Sequence, residues 1–204
     1  MLEFFKRSWL VLVGALVFGL LLAFTYTSWE PLIEANRIAK LQRGIRSILP
    51  QAATIEADTL ATASDLRAEP QVVYRGLNAA GDPVGFVFRA EGTGFQDRIE
   101  LLVGLDARLE RYRGIAVLFA QETPGFGDAI RDSVIFKQQF IGAPAAEDLI
   151  VVKGPDEDRP KTDDNEIVSI TGATITSEAV TTIINRRFDE IRPTLERMAS
   201  GRTR

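Results

Sequence analysis

The chain has 204 residues and a mass of 22.5 kDa, which suffices for one domain of ordinary size and a short appendage. Lys and Arg total 24 against 28 Asp and Glu, so the net charge of −4 gives no support for a nucleic-acid-binding surface, and we expect no nucleic acid partner. The absence of Cys and His excludes thiol nucleophiles, disulfides, iron–sulfur and c-type haem ligation, zinc fingers and Ser-His-Asp triads.

The most apolar stretch of the chain lies within its first thirty residues. An uncharged run from residue 8 to residue 29 is long enough, at 1.5 Å per residue, to cross a bilayer core of about 30 Å. Trp9 lies at one end of the run and Tyr26 and Trp29 lie at the other, where interfacial aromatic side chains are typical. We predict a single transmembrane helix over 8–29, in contact with the lipid bilayer. The alternative is a cleaved signal peptide, whose apolar region is normally shorter and ends in small residues.

The charges that flank the span give conflicting indications of its orientation. Residues 1–7, predicted to be a short cytoplasmic N-terminus, include Lys6 and Arg7, and acidic residues follow the span at Glu30 and Glu34. The positive-inside rule counts only Lys and Arg, however, and four basic residues also follow the span: Arg37, Lys40, Arg43 and Arg46. Because long domains translocate largely regardless of charge and the lack of Cys permits an oxidising compartment, we favour a single-pass protein of the bacterial inner membrane with its C-terminal domain in the periplasm.

Residues 30–70 are predicted to form a stalk helix and a connection. Apolar residues at 38, 41, 45 and 48 make one helical stripe, and the helix is expected to stop at Pro50. The segment 51–70 is small and polar, and its pattern does not decide between a helix and a loose connection.

The remaining residues, 71–204, are predicted to form one domain. Four short β-rich runs separated by turn residues indicate an antiparallel sheet, at 72–76, 84–92, 98–106 and 113–122. A helical stretch is expected over 129–140, with four candidate core residues: Ile130, Val134, Ile135 and Phe136. We therefore predict an α+β fold in which a mainly antiparallel sheet is flanked by helices.

The C-terminal third is predicted to alternate strands and loops before a long helix. Strands are expected over 149–153 and 166–170, and the polar segment 154–166 between them lacks the EF-hand spacing, so a solvated loop is favoured over a calcium site. The final helix is expected over 176–198, with a kink or an interruption before Pro193. Its apolar face is predicted to contain Val180, Ile183, Ile184, Phe188, Ile191, Leu195 and Met198.

The segment QETPGFGD at 121–128 follows the fourth predicted strand. Pro124 and Gly125 together predict a type II turn, in which Gly fills the position with positive φ. An ordinary turn is one interpretation. The other is a binding loop held by a rigid sheet, which the aromatic Phe126 among Gly, Pro and Thr favours.

The segment TGATIT at 171–176 lies between a predicted strand and the start of the final helix. Unpaired backbone N–H groups at a helix N-terminus favour an anion, and Gly172 and Ala173 allow close approach of the backbone. The hydroxyls of Thr171, Thr174 and Thr176 crowd the same turn. Simple capping of the helix by Thr remains the alternative to a phosphate site.

These two segments resemble motifs of a known family. TGATIT is similar to the S/T-G-A-T flavinylation motif of the covalent FMN-binding domain found in the G subunit of the Rnf-type ion-translocating electron transport complex and in the C subunit of the sodium-translocating NADH:quinone reductase. ETPGFGD at 122–128 resembles the E-T-P-G-L-G-D segment of these subunits, and 99–106 resembles the strand that precedes it. The family signature commonly has an acidic residue three positions before the S/T, where this chain has Val168.

The resemblance implies a cofactor and the residues that hold it. FMN would be attached by a phosphoester to Thr174, and a separate flavin transferase would install it, because Thr is a weak nucleophile without a neighbouring base. The other residues that the resemblance assigns to cofactor binding are Thr171, Gly172, Ala173, Thr176, Glu122, Thr123, Pro124, Gly125 and Gly127. No residue is expected to act as an acid or base on a substrate, and no metal site is expected.

The function that the resemblance implies is electron transport. The chain would pass electrons through its FMN between neighbouring membrane and redox subunits of an ion-translocating ferredoxin:NAD oxidoreductase complex. Three alternatives remain: a C-type subunit of the quinone reductase, a stand-alone extracellular flavin shuttle, and a membrane-anchored scaffold without a cofactor. Genome neighbours would separate the first alternative from the Rnf-type subunit, and flavin content would identify the scaffold.

Overall fold

A computed structural model of the chain describes residues 2–60, 71–154 and 164–200. These residues belong to two compact units, one that ends at Gln42 and one that begins at Arg43. The calcium interpretation of 154–166 falls mostly on residues 155–163, which lie outside the described residues.

The N-terminal unit is helical. Helix α1 extends over Leu2–Ile48 without a break at Pro31, so the predicted span and stalk helix form one element. Pro31 removes one backbone hydrogen bond, and hydroxyls in the preceding turns bond to the backbone, as Thr27 does when its Oγ1 donates to the Ala23 carbonyl at 2.9 Å. The helix ends two residues before Pro50, as predicted. Among the described residues, α1 is the helix long and apolar enough to cross a membrane.

The second unit contains an antiparallel sheet of six strands in sequence order. The strands are β1 (Thr54–Leu60), β2 (Gln71–Leu77), β3 (Pro83–Thr93), β4 (Arg98–Asp106), β5 (Arg111–Ala120) and β6 (Ile141–Pro144). Two further strands, β7 (Ile150–Val152) and β8 (Glu166–Val168), pair in parallel and form a separate two-stranded sheet. The α+β prediction with a mainly antiparallel sheet is confirmed.

Two strands of the sheet were not predicted. β1 falls in the segment whose pattern was left undecided, and it pairs along its whole length with β2, from Thr54 opposite Leu77 to Leu60 opposite Gln71. β6 pairs with β5 through only two residue pairs. β6 has only four residues, and the alternation in β1 covers only Ile55 to Asp58, so tertiary pairing defines both strands.

Helix α3 (Thr174–Ala199) packs on one face of the sheet. All seven predicted apolar residues of α3 are buried, and the Phe188 ring lies 6.2 Å from Phe88 and 6.0 Å from Tyr112, measured between centroids. Burial raises the pKa of the Tyr112 hydroxyl above its ordinary value. Of the kink or interruption predicted before Pro193, the interruption does not occur, because the helix continues through Pro193 while Ile191 and Leu195 remain buried on either side.

The opposite face of the sheet is covered by the last turn of α1 and the residue after it. Ile48 and Leu49 are buried, and they lie so close to Gly104 and Gly85 that a Cβ at either glycine would collide with them. The central strand β4 is buried on both sides from Ile99 to Leu105. The sheet is therefore a rigid support for the loops at its ends.

The predicted helical stretch 129–140 is interrupted. A 3₁₀ turn occupies Gly127–Ile130, and α2 occupies Val134–Gln138, capped by Ser133, whose hydroxyl accepts from the Phe136 N–H at 3.1 Å. Of the four predicted core residues, Ile130 and Phe136 are buried. Val134 and Ile135 are exposed, so that part of the prediction is wrong, because the cap at Ser133 restarts the helix with a different face inward.

Candidate cofactor-binding site

Two turns that are far apart in the sequence meet at one end of the domain. The loop 121–127 follows strand β5, and the turn 169–173 joins β8 to α3. Their contact is made by Phe126 and Gly172: a Cβ built on Gly172 would lie 2.8 Å from Cδ1 of the Phe126 ring. The structure thus brings together the two segments in which the sequence places candidate binding residues.

The first turn has the conformation that its sequence predicts. The N–H of Phe126 donates to the Thr123 carbonyl at 3.2 Å, and Gly125, two residues after Thr123, has φ +79°. Pro124 precedes this glycine, as in a type II turn. Pro124 and Gly125 are exposed, and the Phe126 side chain is 53% exposed although it touches Gly172.

The second turn ends at a helix start that has no side-chain cap. Ala173 is the N-cap of α3, and its methyl group cannot accept a hydrogen bond. Thr174 is the first helical residue, is half-buried, and has no side-chain hydrogen bond to another described residue. The capping alternative therefore does not account for Thr174.

Ser177 stabilises this turn from within the helix. Its hydroxyl accepts from the Ile170 N–H at 3.1 Å and donates to the Ala173 carbonyl at 3.0 Å. Gly172 has φ +78°, a conformation that residues with a side chain rarely adopt. The backbone path before α3 is thus fixed without using the N–H groups of the first helical turn, which have no partners within the helix.

The first of the two turns carries a buried carboxylate, that of Glu122. Glu122 is 5% exposed, and its Oε2 accepts from the hydroxyl of Thr176, itself 2% exposed, at 2.9 Å. The other oxygen, Oε1, accepts from the Gln96 N–H at 3.3 Å. The structure therefore places the buried Glu122 and Thr176 in contact with each other, whereas Thr171 and Gly172 are exposed.

Sequence reasoning missed several residues of this arrangement. Gln96 donates to Glu122 and accepts a long hydrogen bond, 3.5 Å, from the Thr123 hydroxyl. Gly94 approaches so closely that a Cβ there would collide with the Glu122 carboxylate. The sequence gives only a weak signal for such residues. A single Gly in a polar turn, such as Gly94, and a single Ser in a helix, such as Ser177, are both common.

The structure also places Val168, where the family signature commonly has an acid. Its side chain is 3% exposed, and its backbone N–H and carbonyl both pair with the side-chain amide of Gln139, at 2.7 and 3.2 Å. In this chain the Val168 side chain is buried, and the hydrogen bonds of its backbone with Gln139 hold the chain just before the turn 169–173.

The arrangement fits a phosphate group at the start of α3. The uncapped N–H groups and the positive end of the helix dipole favour an anion, and Gly172 leaves the backbone accessible. The Thr174 hydroxyl is available at the same turn, and two exposed apolar side chains lie near this turn: Ile175 follows Thr174 in the sequence, and Phe126 lies against Gly172. The residues present are therefore suited to FMN, which combines a phosphate with a flat aromatic ring system.

Comparison with known proteins agrees with this interpretation. Residues 94–189 match a family described as the FMN-binding domain. The chain is 30% identical over 182 residues to the G subunit of the ion-translocating oxidoreductase complex of Methanosarcina acetivorans, covering 89% of this chain and 90% of that protein. It is 34% identical over 195 residues to the G subunit of the Na⁺-translocating ferredoxin:NAD⁺ oxidoreductase complex of Acetobacterium woodii, covering 89% and 88%.

The fold is similar to two solved structures. NqrC of Shewanella oneidensis aligns with a TM-score of 0.53 at 19% identity over 72% of each chain. The C subunit of the Na⁺-translocating NADH-quinone reductase of Parabacteroides distasonis aligns with a TM-score of 0.54 at 20% identity, over 69% of this chain and 77% of that one. Together with the relatives of 30% and 34% identity, these findings show that the chain carries an FMN-binding domain and belongs to the family of G subunits of Rnf-type ion-translocating oxidoreductase complexes.

Proposed function

We propose that this chain is the membrane-anchored electron carrier of an ion-translocating ferredoxin:NAD oxidoreductase complex, with FMN joined by a phosphoester to Thr174. The observation that carries the proposal is the half-buried residue Thr174 at the uncapped start of α3, whose hydroxyl has no hydrogen-bond partner among the described residues. The names of the relatives from Methanosarcina acetivorans and Acetobacterium woodii support the choice of complex.

The residues around Thr174 bind and orient the group. The N–H groups of the first turn of α3 would hold the phosphate, and Gly172 would allow it to approach the backbone. Phe126 and Ile175 offer apolar surface beside the attachment point. FMN, when bound, supplies the oxidation and reduction, and the covalent bond prevents its loss.

The chain requires help to form that bond. The buried carboxylate of the site, Glu122, accepts from Thr176 and not from Thr174, so it is not positioned to deprotonate the acceptor hydroxyl. A separate flavin transferase therefore installs the phosphoester. The remaining candidates Thr123, Pro124, Gly125 and Gly127 shape the loop that lines the site.

The placement in the membrane completes the proposal. Residues 8–29 of α1 cross the lipid bilayer, and the apolar side chains of this segment are exposed to the surroundings, as a membrane anchor requires. Residues 1–7 lie in the bacterial cytoplasm, and the FMN domain of 71–204 faces the periplasm. Of the predicted connection 30–70, the part from Arg43 onward belongs to the same compact unit as this domain. Its electron donor and acceptor are other membrane and redox subunits of the same complex.

Covalent flavin is the direct test. The full chain is co-expressed with a flavin transferase, denatured, and examined by in-gel fluorescence beside Thr174→Val and Thr181→Val. We expect fluorescence in the parent and in Thr181→Val, and none in Thr174→Val. Among the described residues, the Thr181 hydroxyl bonds only to the Glu178 carbonyl of its own helix. A dark parent would instead support the anchored scaffold without a cofactor, and a fluorescent Thr174→Val would move the attachment to another residue.

A further inference from the structure

We propose that Glu122 and Thr176 are positioning residues that hold the loop 122–128 against the start of α3, so that the attachment site is assembled before FMN arrives. We call this hydrogen-bonded pair the clamp. The inference that the clamp promotes covalent attachment of FMN rests on the proposed function. The inference that the clamp orders the loop 122–128 does not.

The clamp joins three separate segments of the chain. Oε2 of Glu122 accepts from the Thr176 hydroxyl at 2.9 Å across 54 residues, and Oε1 accepts from the Gln96 N–H at 3.3 Å across 26 residues. The turn that carries Gln96 is itself closed by a hydrogen bond from the Gly94 N–H to the Asp97 carbonyl at 2.7 Å. One carboxylate therefore ties the end of β5 and the turn between β3 and β4 to α3.

The surrounding glycines leave room for this carboxylate and for little else. A Cβ on Gly127 would lie 2.7 Å from Thr176 Oγ1 and 3.0 Å from Glu122 Cβ, and one on Gly94 would collide with Glu122 Oε1. Real Cβ atoms essentially never make contacts shorter than 3.0 Å, and neither glycine has a positive φ. The clamp thus explains Gly127, whereas Gly94 is crowded by the Glu122 carboxylate together with Ile99 and the Asp97 carbonyl.

The clamp leaves the acceptor residue untouched. Successive residues of a helix are rotated by about 100°, so Thr176 points about 200° away from Thr174. Thr176 is accordingly buried and bonded to Glu122, while Thr174 is half-buried on another side of the helix.

A buried carboxyl group is a poor means of gaining stability alone. An apolar pair of the same size is often equally stabilising, because it avoids the cost of removing the carboxylate from water. A hydrogen bond in a defined direction fixes one relative arrangement of the loop and helix, which an apolar contact does not. The geometry therefore points to positioning as the function of the pair.

The first experiment measures the order of the loop without flavin. The full chain in detergent, expressed without a transferase, is followed by hydrogen–deuterium exchange over 122–128 for the parent, Thr176→Val, Thr176→Ser, Thr174→Val and Thr181→Val. We expect Thr176→Val to exchange about ten-fold faster, because Glu122 loses its buried donor, and Thr176→Ser, which keeps the hydroxyl, to stay near the parent. Thr174→Val and Thr181→Val also stay near the parent. A loop equally protected in Thr176→Val and Thr181→Val would overturn the clamp.

The second experiment measures attachment in the same variants co-expressed with a transferase. We expect covalent flavin per folded chain to fall about ten-fold in Thr176→Val although Thr174 is intact. Full attachment in a Thr176→Val protein with a loosened loop would overturn the link between the clamp and attachment. A dark parent would overturn the proposed function and with it this link, while the exchange data would still decide whether the clamp orders the loop.

A change at Glu122 separates hydrogen bonding from charge. Glu122→Gln keeps the size of the side chain and can accept from Gln96 while donating to a reoriented Thr176 hydroxyl. We expect its loop to exchange within about two-fold of the parent, and Glu122→Ala to exchange at least as fast as Thr176→Val. Equal loosening in Glu122→Gln and Glu122→Ala would contradict positioning by hydrogen bonds.

Discussion

Two glycines in the two turns of the site have the same backbone angle and opposite surroundings. Gly125 has φ +79° and Gly172 has φ +78°. A Cβ on Gly125 would meet nothing within 4 Å, whereas one on Gly172 would lie 2.8 Å from the Phe126 ring. The loop thus needs a glycine only for its backbone, while the turn before α3 needs one for its backbone and for contact with the loop.

Two further glycines separate these requirements. Gly127 is buried and crowded by the Glu122 and Thr176 side chains, but its φ is not positive. Gly81, in the turn between β2 and β3, has φ +88° and open space around it. The four positions therefore differ in backbone strain, in crowding and in whether they lie at the site.

The largest effect is expected for Gly172→Ala. Left-handed backbone strain costs about 1–2 kcal/mol, and displacement of the Phe126 ring adds about 1 kcal/mol. We expect thermal or urea unfolding to report a loss of about 2–3 kcal/mol, and covalent flavin to fall several-fold. The double variant Gly172→Ala with Phe126→Ala removes the crowding but not the strain.

A double-mutant cycle with Gly172→Ala and Phe126→Ala measures the part of the stability loss that comes from contact between the new Cβ and the Phe126 ring. The double variant should be more stable than the sum of the two single changes predicts, by about 1 kcal/mol. If the stability losses of the two single changes simply add in the double variant, there is no direct Phe126–Gly172 contact. Gly172 would then be required, like Gly125, only for its backbone conformation.

Gly127→Ala is expected to have the next largest effect. Its Cβ would press on Thr176 Oγ1 and on Glu122, which are buried and cannot turn away, so overpacking costs about 1–3 kcal/mol without backbone strain. We expect lower stability in urea unfolding and faster hydrogen exchange over 122–128. A parent-like Gly127→Ala would show that the space around the clamp is looser than these distances indicate.

The parts of the molecule that could be predicted from sequence are those whose pattern is local. The apolar face of α3 repeats with helical spacing, and the four runs that became β2 to β5 are rich in β-branched and apolar residues. Pro193 did not break α3, because burial of Ile191 and Leu195 outweighs one lost hydrogen bond.

The site was predictable only in part, for a different reason. Each motif named candidate residues in its own segment, but nothing in either spacing required Phe126 to touch Gly172 or Glu122 to bond with Thr176. The latter pair is separated by 54 residues, and Gln96 joins it across 26. Contacts of that range depend on how the strands are paired, and a single Gln or Ser carries no pattern that announces them.

The smallest effect on stability is expected for Gly125→Ala, and Gly81→Ala is its matched control. Both glycines have positive φ and open surroundings, so each change costs about 1–2 kcal/mol through backbone strain alone. The two variants should therefore unfold at similar urea concentrations.

The two variants should differ in the properties of the attached flavin, because Gly125 adjoins Phe126 at the site whereas Gly81 lies in the turn between β2 and β3. We expect the absorption spectrum and midpoint potential of the attached flavin to shift in Gly125→Ala and in the bulkier Gly125→Val, and to match the parent in Gly81→Ala. An unchanged spectrum and potential in Gly125→Val would remove this loop from the flavin site and leave the start of α3 as the part of the domain that holds the cofactor.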